Sequence, residues 1–145
     1  MTQTRHRFLS FEEYLSYDDD SETLCELFNG ELIEVPPESG RNNQIAIFLV
    51  LYFARLIDFR RVRAQGLEIE VRGEPRNRFP DVTVLREEHM TQLQRRDTIR
   101  LDMASPLLVV EVVSPGEIQR DRDYIAQRSQ YQDRAIPEYW IVGAT

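Results

Sequence analysis

Apolar positions along the chain repeat in two ways, at helical spacing in some stretches and at every second residue in others. Ser10-Phe11-Glu12-Glu13 forms a capping box, with Leu9 and Tyr14 placed for a hydrophobic staple, and predicts a short helix from about Phe11 to Tyr17. Asp18-Asp19-Asp20-Ser21 breaks it. Thr23 to Val35 reads as a hairpin around Asn29-Gly30. A two-residue loop pairs Phe28 with Glu31, Leu27 with Leu32 and Glu26 with Ile33. That register sets Glu26 and Glu31 on the face that carries Leu24, Phe28, Ile33 and Val35. Two carboxylates on an apolar face need an Arg, a metal or an open cleft to answer them.

Pro36-Pro37 ends the hairpin, and a strong helix capped by Ser39 or Asn42 runs to about Asp58. Gln44, Phe48, Leu51, Tyr52 and Arg55 share one stripe of it. Its middle is apolar almost all round, which predicts a buried helix. Leu67, Ile69 and Val71 alternate with Glu68, Glu70 and Arg72, the pattern of a strand with one wet face, and Gly66 marks a bulge. Arg78 to Leu85 is a second strand with Phe79, Asp81 and Thr83 on one face and Pro80 near its start. Residues 86–106 are charged and irregular, with one helical turn and an exposed His89. Leu107 to Val113 has the near-continuous apolar run of a strand covered on both faces. A helix over Asp121 to Ala135 stops ahead of Pro137, and Glu138 to Gly143 is a final strand. Mixed strands and helices predict a mixed α/β class with a mixed sheet.

Composition narrows the chemistry. A chain of 145 residues has the size of one ordinary domain. All 18 basic residues are Arg, so lysine Schiff bases, Lys-containing phosphate loops and catalytic lysines are excluded. The net charge of −7 lies wholly in residues 1–58, with 4 Arg against 11 acids, and the remainder is neutral. One cysteine, Cys25, makes no intrachain disulfide, and with two histidines it cannot make the usual zinc sets. The longest apolar run, the ten residues Ile45 to Ala54, is too short for a bilayer, and Met1 to Ser10 lacks a signal-peptide pattern. These features predict a cytoplasmic protein with no membrane partner.

Two acids stand where a charge is out of place. Asp81 lies in an apolar and β-branched strand, and Glu111 interrupts Leu-Leu-Val-Val-Glu-Val-Val. Buried carboxylates need a partner or a cation. On neighbouring strands the two can converge, and with a backbone carbonyl they make an Mg²⁺ site of hard oxygens. A structural ion pair with Arg is the alternative that the residues alone leave open.

Cys25 to Leu32, Phe79-Pro80-Asp81-Val82, Val110 to Pro115, Arg122-Asp123-Tyr124 and Ile136-Pro137-Glu138-Tyr139-Trp140 resemble, in order, a bacterial restriction-endonuclease family long catalogued as a domain of unknown function. The resemblance runs from about Phe8 to Val142. That family belongs to the PD-(D/E)XK superfamily, whose core runs helix, three strands, helix, strand, and the elements from Asn42 onward follow that order. The resemblance implies one domain over 1–145, with a helix and hairpin in 1–37 and a restriction-endonuclease-like core in 39–143. It implies Asp81 and Glu111 as ligands of Mg²⁺ or Mn²⁺, with the Val112 carbonyl as a third. The superfamily lysine position falls on Val113. In this family the lysine comes from the following helix, where this chain has Asp123-Tyr124-Ile125-Ala126-Gln127-Arg128, so Gln127 takes its place. Gln44 stands where relatives carry a helix glutamate, and Glu31 and Glu26 are further candidate acids. The implied activity is metal-dependent DNA cleavage. Gln44 and Gln127 supply the rival expectation, a degenerate nuclease fold kept as a binding or dimerisation module. Arg60–Arg63, Arg95–Arg100 and Arg120–Arg128 are candidate basic surfaces, and an exposed edge strand near the end predicts a homodimer.

Overall fold

The computed structural model describes residues 7–17, 23–116 and 123–143. The expected break at 18–21 and the first two positions of the expected last helix, Asp121 and Arg122, lie outside them.

Helix α1 (Phe11–Ser16) starts as its capping box requires: the Ser10 hydroxyl accepts from the Glu13 N–H at 3.1 Å. The Glu13 carboxylate in turn accepts from the Leu9 N–H at 3.2 Å. The staple differs from expectation. Leu9 is 93% exposed, and Phe8 packs edge-on against Tyr14 instead, at 6.1 Å between centroids. Strands β1 (Cys25–Phe28) and β2 (Glu31–Glu34) form the hairpin in the expected register. Asn29 and Gly30 both take positive φ, as a primed two-residue turn demands. Leu27 closes a small core with Phe8 and Phe11.

Helix α2 (Gly40–Leu56) is capped by Ser39, whose hydroxyl accepts from the Asn42 N–H at 3.1 Å. A 3₁₀ turn over Phe59–Arg61 leads into β3 (Val62–Arg63), a strand too short to show a period. The chain then forms β4 (Glu68–Glu70), β5 (Asn77–Arg78), β6 (Val82–Val84), helix α3 (His89–Gln92), β7 (Thr98–Ile99), β8 (Leu108–Val113), helix α4 (Asp123–Asp133) and β9 (Glu138–Gly143). One sheet has the order β3-β6-β8-β9, antiparallel except for the parallel β8–β9 pair. The other has the order β5-β4-β7. Within the first sheet the sequence of elements is α2, β3, β6, β8, α4, β9. The helix–three strands–helix–strand order holds, but its first strand is Val62–Arg63 and the stretch Leu67–Val71 belongs to the second sheet.

Three other expectations are corrected. Arg78 to Leu85 is not one strand: Pro80 cannot donate to a ladder, and the chain changes sheets across Phe79-Pro80-Asp81. The β4 face carrying Glu68 and Glu70 is buried, because α1 and the hairpin cover it and bring polar partners. His89 is fully buried, its Nδ1 accepting from the Arg86 N–H at 3.0 Å and its Nε2 lying 2.7 Å from the Ala104 carbonyl.

Leu108, Val110 and Val112 turn one face of β8 toward Ile45, Leu49, Val50 and Phe53 of α2. Val109 turns the other face toward Leu67, Ile69, Leu85 and Tyr131. Helix α2 therefore uses only one side on the sheet. Phe48, Leu51 and Tyr52 on its opposite side are at least half exposed, contrary to the expectation of burial all round.

Candidate active site

The β6–β8 ladder runs from Val84↔Leu108 to Val82↔Val110. One step further, Asp81 falls opposite Glu111 on the face turned away from α2. The Asp81 side chain ends the ladder, its Oδ2 accepting from the Val112 N–H at 2.7 Å. The N–H and C=O of one strand residue point to the same side, so the Val112 carbonyl also faces the Asp81 side of β8. Asp81 and Glu111 are both buried.

Helix α4 packs over Glu111 and supplies its partners. Gln127 and Tyr131, one turn apart, both donate to Oε1 of Glu111: Tyr131 Oη at 2.9 Å and Gln127 Nε2 at 3.3 Å. The Gln127 Oε1 accepts from the Tyr139 hydroxyl at 2.9 Å. No described residue donates to Glu111 Oε2. Burial, then the neighbouring Asp81, pushes the Glu111 carboxyl well above its usual range.

Asp81, Glu111, Val112 and Gln127 line a cleft of about 240 Å³. Its walls include Glu26 of the hairpin, the segment Val35 to Glu38, Phe79, and Asp123, Tyr124 and Gln127 of α4. Arg78 is the one cation among the described residues that line it, and it is 1% exposed. Its guanidinium donates to both oxygens of Asp123 at 2.8 and 3.0 Å and to Gln130 Oε1 at 2.7 Å, and lies 3.6 Å from Glu26. Glu26 is pushed up by burial, with Arg78 opposing the rise and Asp123 adding to it.

Residues 11–144 match the model of the Uma2 family, described as "putative restriction endonuclease". This chain belongs to that family. The chain is also similar in fold to a putative nuclease belonging to DUF820 from Anabaena variabilis ATCC 29413, with a TM-score of 0.60 and 16% identity over 91% of this chain and 72% of that one. No curated protein matches.

Among the residues singled out in this Uma2 chain, the fold gathers Asp81, Glu111, Val112, Gln127 and Glu26 around one cleft. It does not bring Glu31 or Gln44 there. Glu31 sits at the turn end of the hairpin opposite Phe28, 3.6 Å from Arg7. Gln44 is exposed, because α2 packs on the other face of the sheet. Asn42, near the start of α2, is buried and donates to Glu38 at 2.9 Å and to Ser114 at 3.3 Å, so the helix end braces the rim of the cleft. Tyr131 and Tyr139, which the sequence offers with Tyr124 as core or base-stacking residues, instead bind Glu111 and Gln127. Arg78 is a site residue that sequence reasoning misses, although it stands three residues before Asp81.

The divalent cation implied by the fold resemblance fits this donor set. Mg²⁺ is commonly held by one or two carboxylates and keeps several waters. The Asp81–Glu111 pair and the Val112 carbonyl are hard oxygens on one side of β8. Among the described residues no group of three or more His, Cys, Asp or Glu stands together, so the donor set is these two carboxylates and the carbonyl. No described helix is long and apolar enough to cross a membrane.

Proposed function

We propose that this chain is a nuclease of the PD-(D/E)XK type that hydrolyses phosphodiester bonds of DNA in the Asp81–Glu111 cleft. The reading rests above all on two buried carboxylates, from adjacent strands, brought side by side with a single strand peptide between them. Asp81, Glu111 and the Val112 carbonyl would hold Mg²⁺ or Mn²⁺. Such an ion lowers the pKa of a bound water and offsets charge on a phosphate.

The chain's own residues do the positioning. The Val112 N–H fixes Asp81 to β8. Tyr131 and Gln127 hold Oε1 of Glu111 and leave Oε2 to the cleft. The Tyr139 hydroxyl sets the Gln127 amide so that its NH₂ faces Glu111. Gln127 supplies no positive charge and accepts no proton. Arg78 does not replace a base, since it stays protonated, and its donors are engaged by Asp123 and Gln130. Within the Arg-containing stretches, Arg60 pairs with Asp58, Arg63 with Asp97, and Arg100 with Glu70 and Glu12.

The neutral Gln127 favours a second reading, a cleft that still holds a cation but cleaves slowly or not at all. Nicking of supercoiled plasmid with Mg²⁺ or Mn²⁺ separates the two. The first reading expects wild-type nicking that is abolished in Glu111→Ala. Cation binding lost in Asp81→Ala but without nicking is the outcome of the second. Absence of binding at millimolar cation overturns both.

A further inference from the structure

The exposed side of α2 is a seam rather than scattered apolar residues. Arg41, Gln44, Phe48, Leu51 and Arg55 are spaced by alternating steps of three and four, the repeat of a coiled-coil contact line. All five are exposed, with Phe48 at 65% and Leu51 at 62%. Ile47 and Tyr52 flank the line at 58% and 50%. Phe48, Leu51, Ile47 and Tyr52 together expose roughly 500 Å² per chain, the size of a monomer's largest apolar patch, which is often functional.

The order of residues along the seam says what covers it. Gln44, Phe48, Leu51 and Arg55 are symmetric about the point between Leu49 and Val50. An antiparallel copy of the same helix sets Phe48 against Leu51, Ile47 against Tyr52 and Gln44 against Arg55. The apolar pairs then meet at the centre, and each Arg55 meets an amide oxygen that can accept from it. A parallel copy sets Arg41 and Arg55 each against its own like charge. We infer that α2 is the contact of a two-fold homodimer in which the two copies of the helix pack antiparallel across this seam. A self-complementary patch is what a two-fold axis requires. The exposed Gln44, outside the cleft, then faces Arg55 of the second copy.

Sedimentation of the full chain at high micromolar concentration tests this. The wild type should sediment as twice its 17.1 kDa. Phe48→Glu should be monomeric with an unchanged circular dichroism spectrum, because the side chain it replaces faces solvent within each copy. Gln44→Glu should tighten the dimer about tenfold by meeting Arg55, and Gln44→Arg should loosen it by about the same factor. A monomeric wild type overturns the proposal and leaves the seam to another protein. A dimer indifferent to Phe48→Glu places the contact elsewhere, such as the β9 edge. A dimer loosened by Gln44→Glu overturns the antiparallel arrangement.

Discussion

Two pairs of acids are buried in the strands of this protein, and they are treated differently. Glu68 and Glu70 lie in β4 under α1 and the hairpin, each 3% exposed. Glu68 accepts from Tyr14, Asn77 and Thr98, each at 2.6 Å, with Arg96 at 3.7 Å. Glu70 accepts from Arg100 at 2.8 Å and from the Leu101 N–H at 3.0 Å. Asp81 and Glu111 are also buried, yet both donors that described residues give Glu111 are neutral, and a second carboxylate stands beside it. The first pair is answered by guanidinium groups and fastens the N-terminal layer to the sheet. Burial of an acid is thus no sign of function by itself; a cleft-facing carboxyl held by neutral donors beside a second acid is.

The comparison can be sharpened by changing what answers each acid. Gln127→Lys places an ammonium beside Glu111, and on the nuclease reading nicking should rise roughly 10²–10³-fold, the worth of one electrostatic donor in such a site. An unchanged rate with retained cation binding shows a cleft altered in more than this position. Glu68→Ala should leave nicking per folded molecule unchanged, but cost roughly 3 kcal/mol in urea unfolding by stripping Tyr14, Asn77 and Thr98 of their shared acceptor. Glu111→Gln should act in the opposite sense. A carboxyl raised in the folded state favours the fold while protonated, a contribution present below its unfolded value of about 4.5 and lost as pH rises through the folded value. Without added cation, Glu111→Gln should therefore melt above wild type at neutral pH, with the gap closing on acidification. Tyr139→Phe should be the mildest change, removing one hydrogen bond to Gln127 at about 1 kcal/mol or less. It should also shift the Gln127 side-chain amide resonances.

Local signals proved sufficient where neighbours in sequence are also neighbours in space. Asn29-Gly30 determines the hairpin register, Ser39 the start of α2, and the runs at 108–113 and 138–143 their strands. The site was legible in its two strand acids and in Gln127, whose surroundings or resemblance marked them. What stayed hidden depends on distant covers. Glu68 reads as wet until Tyr14, 54 residues earlier, is laid over it. Strands of two residues such as β3 and β7 exist only through their partners. An apolar helix such as α2 does not declare which side meets the sheet, so a motif match alone does not place Gln44.

The change of sheet at Phe79-Pro80-Asp81 has a consequence for how the cleft keeps its dimensions. On one side of this corner Asn77 is bound to the hairpin backbone through Leu27 and Cys25, and Arg78 is bolted to α4. On the other, Val82 enters the β6–β8 ladder. Asp81 is the corner post between these two frames. The hairpin and α4, tens of residues away along the chain, thus both bear on where Asp81 stands relative to Glu111.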